Sequence, residues 1–306
     1  MVGIIVLNYK NWEETIECIK SIVATTNIDY QIFIVDNNSP NDSLQQLENH
    51  FEDQAKITIL DMDENRGYAA GNNRGITAAL NFGCDSIVIA NPDVIFYEGA
   101  IEKMVSKLNS SDDLGVVGPK VLCADFTSIQ KITRKLLTFK RYLSIKKPMM
   151  YLLKKTQRDY LHTEYDYTED LIFEGMVSGC CFAIKADIMQ EIGGFDENTF
   201  LFGEEDIISY KLKELDKMTC VCIDAVVVHL GSTTIGKKVT AFNSYYRYVS
   251  AFYVLVRYSK INKFQRMIVS LINLGAFWMR SLFNADYRLK LKPLIKEYRE
   301  IVKKYK

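Results

Sequence analysis

Residues 31–39 read QIFIVDNNS, an apolar run that ends abruptly in an acid, two amides and a serine. Such a run is typical of a β-strand that is buried on both faces. Similar runs predict further strands at GIIVLN (3–8), KITILD (56–61) and SIVIAN (86–91). Helical stretches between them are predicted at 12–23, at 42–51 with Asp42 as a candidate N-cap, and at 73–83 ending on Gly83. This alternation predicts an α/β fold with a parallel sheet flanked by helices.

Polar residues follow each predicted strand at its carboxyl end. They are Asn8 and Tyr9, the Asp36-Asn37-Asn38-Ser39 segment, DMDENRGYAAGNNRG (61–75), and Asn91-Pro92-Asp93. Ligands of parallel sheets bind beyond these ends, so we expect the binding site at this edge.

The second half of the chain continues the pattern with an interruption. LGVVGPKVL (114–122) precedes a break, and residues 131–158 carry ten Lys or Arg and no acid. This basic segment reads as an amphipathic excursion or a mobile insertion. Residues 173–197 then read as a strand, a helix and a Gly193-Gly194 stop, followed by a helix at 206–215 and a strand at 219–231. From Asn243 onward the chain reads as helical, aromatic and basic.

Composition excludes several protein classes. The 306 residues balance 38 basic against 38 acidic side chains, so bulk charge does not favour nucleic-acid binding. Seven cysteines without a CxxC motif suit free thiols in a reducing cytosol. The N-terminus reads as a strand rather than a signal peptide. The apolar stretch 267–279 is shorter than the ~20 residues that span a membrane, so we expect a soluble or peripheral protein.

Common nucleotide and hydrolase motifs are missing. The first strand is followed by NYKN rather than G-x-G-x-x-G, which disfavours a dinucleotide-binding dehydrogenase. The sequence contains no Walker A motif and no G-x-S-x-G elbow.

Two carboxylates at the predicted edge admit two interpretations each. Asp93 stands on a stiff Asn-Pro turn and could simply belong to that turn, or could hold Mg²⁺ or Mn²⁺ together with substrate phosphates. Asp36 could close an Asx-turn or could contact a base or ribose. His229, at the end of the last predicted strand, reads as a structural histidine unless it meets Asp93 in space.

The glycine-rich segment after the third strand is equally open. Its glycines, including Gly67 and Gly71, could shape a loop before a helix, or Gly71 could let the backbone approach a nucleotide. In the second case Asn72 and Asn73 would offer amides. Arg66 or Arg74 would then meet a diphosphate.

Seven ordered motifs resemble one family. VLNYKN, VDNNSPND, ENRGYAAGNNRGI, ANPDV, VVGPKVL, the 177–206 region and VVHLGST together are similar to the inverting family 2 glycosyltransferases of GT-A fold, especially the bacterial rhamnosyltransferase-like branch. The resemblance implies a Rossmann-like, mostly parallel mixed sheet over residues 1–240, with a basic insertion at about 126–170. Residues 241–306 would form a C-terminal helical extension.

The resemblance also implies site roles. Asp36 would contact the nucleotide of the donor, together with Asn8, Tyr9, Asn38 and the 66–74 segment. Asn91-Pro92-Asp93 stands where the family has D-x-D, with Asn91 replacing the first Asp, so the ion has one anionic ligand fewer. Asp93 and His229 would hold the metal.

The acidic triplet Glu204-Glu205-Asp206 matches the family's acidic pair, with Glu205 in the position of the catalytic base. Glu205 replaces the usual Asp, so Asp206 or Glu204 remains an alternative base. A competing interpretation makes the triplet a helix start that complements the helix dipole.

The function implied by the resemblance is inverting transfer of rhamnose or a hexose from a dTDP- or UDP-sugar, with Mg²⁺ or Mn²⁺, in cell-surface polysaccharide synthesis. The acceptor would be a saccharide or a lipid-linked saccharide. Basic, aromatic segments at 131–158 and 245–306 suggest contact with anionic lipid at the inner face of the cell membrane, and a solvated helix face is the alternative. Two rival functions are an inactive nucleotide-sugar-binding subunit and a sugar-1-phosphate nucleotidyltransferase, although the latter expects a Gly-rich basic loop after strand one.

Overall fold

The computed structural model describes residues 1–131, 133–147, 149–231 and 240–305. Ile132 and Pro148 of the basic segment, Ser232 and Thr233 of the VVHLGST motif, and Lys306 lie outside the described residues. The strands are β1 (Val2–Asn8), β2 (Tyr30–Asp36), β3 (Ile57–Asp61), β4 (Ser86–Ala90), β5 (Val94–Phe96), β6 (Leu114–Leu122), β7 (Arg134–Lys135), β8 (Leu171–Phe173), β9 (Gly175–Met176), β10 (Cys181–Lys185) and β11 (Met218–His229).

The helices alternate with these strands in the first half and dominate the end of the chain. They are α1 (Trp12–Thr25), α2 (Ser43–Phe51), α3 (Tyr68–Phe82), α4 (Ala100–Asn109), α5 (Phe139–Ser144), α6 (Met149–Leu152), α7 (Lys154–Tyr160), α8 (Ala186–Glu191), α9 (Glu204–Glu214), α10 (Ala241–Arg257), α11 (Lys263–Ser281) and α12 (Ala285–Lys304).

The main sheet has the strand order β3-β2-β1-β4-β10-β6-β11-β5, with β8 pairing beside β11. Strands β1 to β4 are mutually parallel, and β6 is parallel to β11. Strand β10 is antiparallel to both β4 and β6. The predicted mixed, mostly parallel sheet flanked by helices is confirmed. The pairing of β10 between two forward strands was not predicted, because an apolar run carries no information about strand direction.

Both faces of the sheet are buried, as the continuous apolar runs predict. Along β1, Ile4 and Val6 enter one hydrophobic cluster, whereas Ile5 and Leu7 enter the cluster on the opposite face. Strand side chains alternate between faces, so every position of β1 is needed for packing.

The main boundary error concerns α3. The helix begins at Tyr68, five residues before the predicted start at 73, and ends before Gly83, which has a left-handed conformation. Of the two interpretations of the glycine-rich segment, the loop is wrong for residues 68–75, which lie within α3. Its glycines allow close packing of helix on sheet: a Cβ at Gly71 would lie 2.5 Å from Cδ1 of Leu7.

A third hydrophobic cluster joins the basic segment to the C-terminal helices. Leu137, Tyr142 and Tyr160 of the basic segment pack in one core with Phe252 and Phe277. The described part of the segment is thus a folded layer rather than a mobile insertion. Ile207 of α9 also enters this core, so the cluster reaches the acidic triplet.

Two simpler expectations concern cysteines and membrane spans. The seven cysteines are free, and all except Cys123 are buried. Within the described ranges, no helix is both long and apolar enough to cross a bilayer.

Candidate active site

The polar edge is assembled by strand register. Asn8 and Asp36 are paired neighbours on β1 and β2, and Asp36 is in turn paired with Asp61. Nδ2 of Asn8 donates to Oδ1 of Asp36 over 2.6 Å, and the Ser39 hydroxyl and backbone N–H donate to the same carboxylate. The turn interpretation of Asp36 is therefore confirmed. Its contact with a nucleotide stays a prediction.

The flanking residues Tyr9 and Asn38 lie at the same edge. Asn38 is exposed, has a positive φ of 54°, and donates its side-chain amide to the backbone oxygen of Asp63. Tyr9 is half-buried, and the Lys10 ammonium lies over its ring. Both side chains remain near enough to the edge to meet a ligand there.

The residues of the 66–74 segment divide into packing and surface positions. Asn72 is buried and donates to the Tyr68 carbonyl within α3. Asn73 exchanges two hydrogen bonds with the backbone of Phe195. Arg66, just before Gly67, pairs with Glu197 at 2.8 Å, and Arg74 is exposed on the helix. Gly71 packs closely against Leu7, so the absence of a side chain there lets α3 approach strand β1. A close approach of a nucleotide to Gly71 stays a prediction.

Asp93 and His229 meet in space. Strand β11 is antiparallel to β5, and His229 is paired with Val94. Nε2 of His229 lies 3.2 Å from Oδ2 of Asp93, and Nδ1 lies 2.9 Å from Oε1 of Gln130. A carboxamide oxygen only accepts, so Nδ1 donates when it bonds to Oε1 of Gln130, and the other ring nitrogen, Nε2, faces the Asp93 carboxylate.

This pair has the chemistry of an incomplete cation site. Asp93 is 1% exposed, and neither of its oxygens has a hydrogen-bond partner among the described residues. A buried carboxylate without a donor is costly, and a cation would offset that cost. No group of three or more His, Cys, Asp and Glu in the described ranges could hold a metal ion. Carboxylate and imidazole therefore fit Mg²⁺ or Mn²⁺ only if a ligand supplies the remaining oxygens.

Tyr68 joins this edge to the acidic triplet. Its hydroxyl lies 3.1 Å from Oδ1 of Asn91 and 3.2 Å from the carbonyl oxygen of Gly179, within hydrogen-bonding distance of both. A Cβ at Gly179 would overlap Oε1 of Glu205, so the Glu205 carboxylate lies directly against the Gly179 backbone. The contacts run without a gap from Asn91 to Glu205.

The acidic triplet opens α9 but is not a solvated helix start. Glu204 is 3% exposed and Asp206 is 7% exposed. Burial, followed by the nearby charge of Glu205, raises the pKa of Glu204 well above its usual value. Burial also raises the pKa of Glu205 and of Asp206. The three carboxyl groups thus lie in a region largely shielded from solvent. The raised pKa that results is suited to a carboxylate that accepts a proton.

Arg134 is the cation of this acidic site. It stands on β7, which pairs with Met176 on β9, so the basic segment brings the guanidinium to the triplet. The charge of Arg134 lowers the pKa of both Glu205 and Asp206, against the effect of burial. Nε of Arg134 has no hydrogen-bond partner among the described residues. Arg134 is thus available to neutralise part of the triplet.

Helix α10 fixes the segment that leads into the triplet. The Ser250 hydroxyl donates to the carbonyl of Leu201 over 2.9 Å, and the rings of Phe200 and Tyr246 stack with centroids 4.7 Å apart. The Arg247 guanidinium lies 4.3 Å from the ring centre of Phe202. The C-terminal helices therefore hold the backbone from which the acids project.

Three residues of the site escaped sequence reasoning, namely Tyr68, Gln130 and Arg134. Each reaches the site through tertiary contacts of its side chain or strand rather than by following a predicted strand. Tyr68 had the strongest available signal, since it lies inside the glycine-rich motif.

Comparison with known proteins gives two curated relatives. The chain is 22% identical over 227 residues to "Low-salt glycan biosynthesis hexosyltransferase Agl10" of Haloferax volcanii, covering 73% of this chain and 66% of that protein. It is 26% identical over 111 residues to "Uncharacterized glycosyltransferase YwdF" of Bacillus subtilis, covering 36% of this chain and 39% of that protein. In both cases the chain spans less than two thirds of the relative.

Solved structures share the fold at low identity. The structure of S. aureus TarS 1-349 in complex with UDP-GlcNAc gives a TM-score of 0.58 at 12% identity, covering 98% of this chain and 81% of that one. Mannosyltransferase PcManGT from Pyrobaculum calidifontis, in complex with GDP-Man and Mn²⁺, gives 0.56 at 15%, covering 98% and 82%. Residues 3–193 match the family described as Glycosyl transferase family 2. The chain belongs to glycosyl transferase family 2 and has the GT-A fold.

Proposed function

We propose that the protein is an inverting glycosyltransferase that moves a hexose or rhamnose from a nucleoside-diphosphate sugar to a saccharide or lipid-linked saccharide. The observation that carries the proposal is the line of contacts that runs from Asn91 through Tyr68 and Gly179 to Glu205, with Asn91 only two residues before Asp93 of the Asp93–His229 pair. The proposed proton acceptor, Glu205, would thus lie beside the proposed diphosphate site at Asp93 and His229.

The donor would lie along the polar edge. Asp36 and Asn8 would meet the base or ribose, and Asp93 with His229 would hold Mg²⁺ or Mn²⁺. When bound, the ion would offset the negative charge that develops on the departing diphosphate. Asn91 supplies no charge, so diphosphate oxygens would complete the coordination.

The chemistry of the acids supports a single displacement. The acceptor hydroxyl oxygen forms a bond to the anomeric carbon while the bond from that carbon to the diphosphate oxygen breaks. The leaving electron pair departs with the nucleoside diphosphate. Glu205 receives the hydroxyl proton, for which its raised pKa is suited. Glu205 is the least buried of the three acids, which favours it over Glu204 and Asp206.

The identity of the donor and acceptor rests on weaker support. The sequence resemblance favours dTDP-rhamnose, followed by a UDP-hexose. The relative from Haloferax volcanii is named a hexosyltransferase, and neighbours of similar fold bind GDP-Man or UDP-GlcNAc. The proposed setting is cell-surface polysaccharide synthesis on the cytoplasmic side of the membrane, in peripheral contact with anionic lipid.

A donor screen tests the proposal. The melting temperature would be measured with dTDP-, UDP- and GDP-sugars, each with and without Mn²⁺ or Mg²⁺. A cognate donor should raise it by mass action, and more so with the ion. Release of nucleoside diphosphate in the presence of saccharide acceptors would then be followed. Stabilisation without any transfer would favour an inactive donor-binding subunit, whereas indifference to every nucleotide sugar would contradict the proposal.

A further inference from the structure

Arg247 of α10 is a cation without an acidic partner. Its side chain is exposed, and its guanidinium lies over the ring of Phe202. Among the described residues, this guanidinium forms no hydrogen bond and no ion pair. An aromatic face holds a guanidinium but leaves its five N–H donors free. The charge and its donors are therefore available to a ligand.

A second arginine brings another positive charge close to the first. The burial of part of its side chain, followed by the charge of Arg134, lowers the pKa of Arg247. Burial would also lower the pKa of Arg134, but the nearby Asp206, Tyr160 and Glu205 raise it. The acidic triplet thus compensates Arg134. Arg247 has a like charge as its neighbour and no acid, so an anion bound there would be stabilised by both cations.

Aromatic rings lie beside Arg247, on α10 and on the segment before the triplet. The ring of Phe242, which is 44% exposed, lies 4.8 Å from that of Tyr246 between centroids. Phe202 has a φ of 71°, a conformation that is unfavourable for an aromatic residue and is retained mainly at functional sites. Aromatic faces pack well against the C–H faces of sugar rings. We call this group the aromatic shelf, and it consists of Phe200, Phe202, Phe242 and Tyr246.

The free charge lies next to the candidate base rather than at the donor edge. Phe202, over which Arg247 lies, is two residues before Glu204. The charge of Arg134 acts on Glu205 as well as on Arg247. Among the described residues, no hydrogen bond or ion pair connects either arginine to the polar edge that would take the donor. Arg247 is therefore close to the place where an acceptor hydroxyl must meet Glu205.

We infer that Arg247 and the aromatic shelf form a subsite for the acceptor, and that this acceptor is a saccharide that carries an oxyanion, either a phosphate or a carboxylate. The guanidinium binds the oxyanion through paired N–H donors, and the shelf carries the sugar ring. The role of this ligand as acceptor rests on the proposed function. Its binding does not, because it can be measured without donor and without transfer.

Saturation-transfer NMR tests the inference on the full chain, with a chelator and without donor. The probes are glucose 1-phosphate, glucuronate and neutral glucose. At least one anionic sugar should bind about tenfold more tightly than glucose or better, because hydrogen bonds to a charged group add to the affinity.

Variants of the arginine show whether it is the source of this preference. R247Q should abolish the preference, and R247K, which keeps the charge, should retain part of it. R257Q is the matched control, since Arg257 is exposed on the same helix and also lies over aromatic rings. It should bind all three sugars like the unaltered chain.

The pattern among the probes identifies the oxyanion. Binding of glucose 1-phosphate alone would assign a phosphate, and binding of glucuronate alone would assign a carboxylate. Equal binding of all three sugars, binding of none, or an unchanged preference in R247Q would overturn the inference.

Calorimetry with UDP and Mn²⁺ separates this subsite from the donor site. R247Q should bind UDP like the unaltered chain, and a loss as large as that for the anionic sugar would place Arg247 in the donor site and overturn the inference. Anionic-sugar binding without transfer from any nucleotide sugar would contradict the proposed function and leave the anionic-sugar site in place.

Discussion

Nε2 of His229 lies 3.2 Å from Oδ2 of Asp93, while Nδ1 of the same ring is held by Gln130. The imidazole and the carboxylate therefore face each other in a buried place. Neither oxygen of Asp93 has a hydrogen-bond partner among the described residues, so a cation between the two groups would stabilise this edge of the sheet.

The substitution Asp93→Asn should stabilise the metal-free protein while it removes metal-dependent donor binding. The new amide can donate to Nε2 of His229, and the buried charge is gone, so we expect the free energy of unfolding to rise by about 1 kcal/mol. Thermal unfolding in the presence of a chelator should show a melting temperature higher by about 2–4 °C. A lower melting temperature would contradict the view that the Asp93 charge destabilises the metal-free protein.

The substitution Gln130→Ala should weaken metal binding although Gln130 touches no metal. It releases Nδ1 of His229 and with it the orientation of the ring, which typically costs about ten- to a hundredfold in affinity. Titration with Mn²⁺ in the presence of a nucleoside diphosphate measures the effect. Gln46→Ala, which removes a half-buried glutamine side chain on α2 that donates to Asp42, is the matched control, and equal affinity of the two variants would contradict the role given to Gln130.

The substitution Glu205→Gln should abolish transfer and leave donor binding intact. Loss of a general base lowers the rate by roughly 100-fold or more, whereas an amide of the same shape keeps the packing against Gly179. Initial rates and donor-induced melting shifts would be compared with those of Glu204→Gln and Asp206→Asn. Retained turnover in Glu205→Gln would move the role to whichever neighbour proves inactive.

Removal of Arg134 should shift the acid limb of the pH–rate profile. The base must be deprotonated to act, and the Arg134 charge lowers the pKa of Glu205 and Asp206. In Arg134→Gln that pKa rises, so the limb moves to higher pH and the rate at neutral pH falls. Arg134→Lys keeps the charge and should move the limb less. An unmoved limb in both variants would show that Arg134 does not act on the base.

Glu204→Gln should stabilise the protein increasingly as the pH rises. The folded pKa of Glu204 lies well above its ordinary value of 4.5, so the folded state binds this proton more tightly than the unfolded state does. That contribution is fully present below about pH 4.5 and is lost as the pH rises through the folded pKa. The difference in melting temperature between the variant and the unaltered chain should be small at acid pH and should grow toward neutrality. A difference that shrinks with rising pH would contradict the assigned direction.

Local sequence patterns were sufficient to predict the strands that form the polar edge of the sheet. Continuous Val and Ile runs predicted β1 to β4 within a residue at each end, and their carboxyl ends brought Asn8 and Asp36 into register. The meeting of Asp93 with His229 was stated as a condition and is confirmed. These successes share a cause, since strand ends of one parallel sheet lie on one edge whatever the rest of the chain does.

The errors arise where tertiary packing decides. The start of α3 was misplaced because a glycine favours a loop by propensity, whereas Gly71 is needed where helix and strand approach closely. The burial of Glu204 and Asp206 could not be read from three adjacent acids. It depends on Arg134 and on α10, which belong to segments far away in the chain.

The support given to the acidic triplet from α10 has a consequence for the newly made chain. The polar residues of the edge, from Asn8 to Asp93, have all been synthesised once residue 93 is made, apart from His229 and Gln130. The Ser250 hydroxyl anchors the Leu201 carbonyl. Helix α10, which carries Ser250, packs against α12 near the end of the chain. A chain that ended after α9 would therefore keep Asn8 and Asp36 at the edge but would lack both His229, the partner of Asp93, and Ser250, the anchor of the segment before the triplet, so both halves of the candidate site depend on late-synthesised residues.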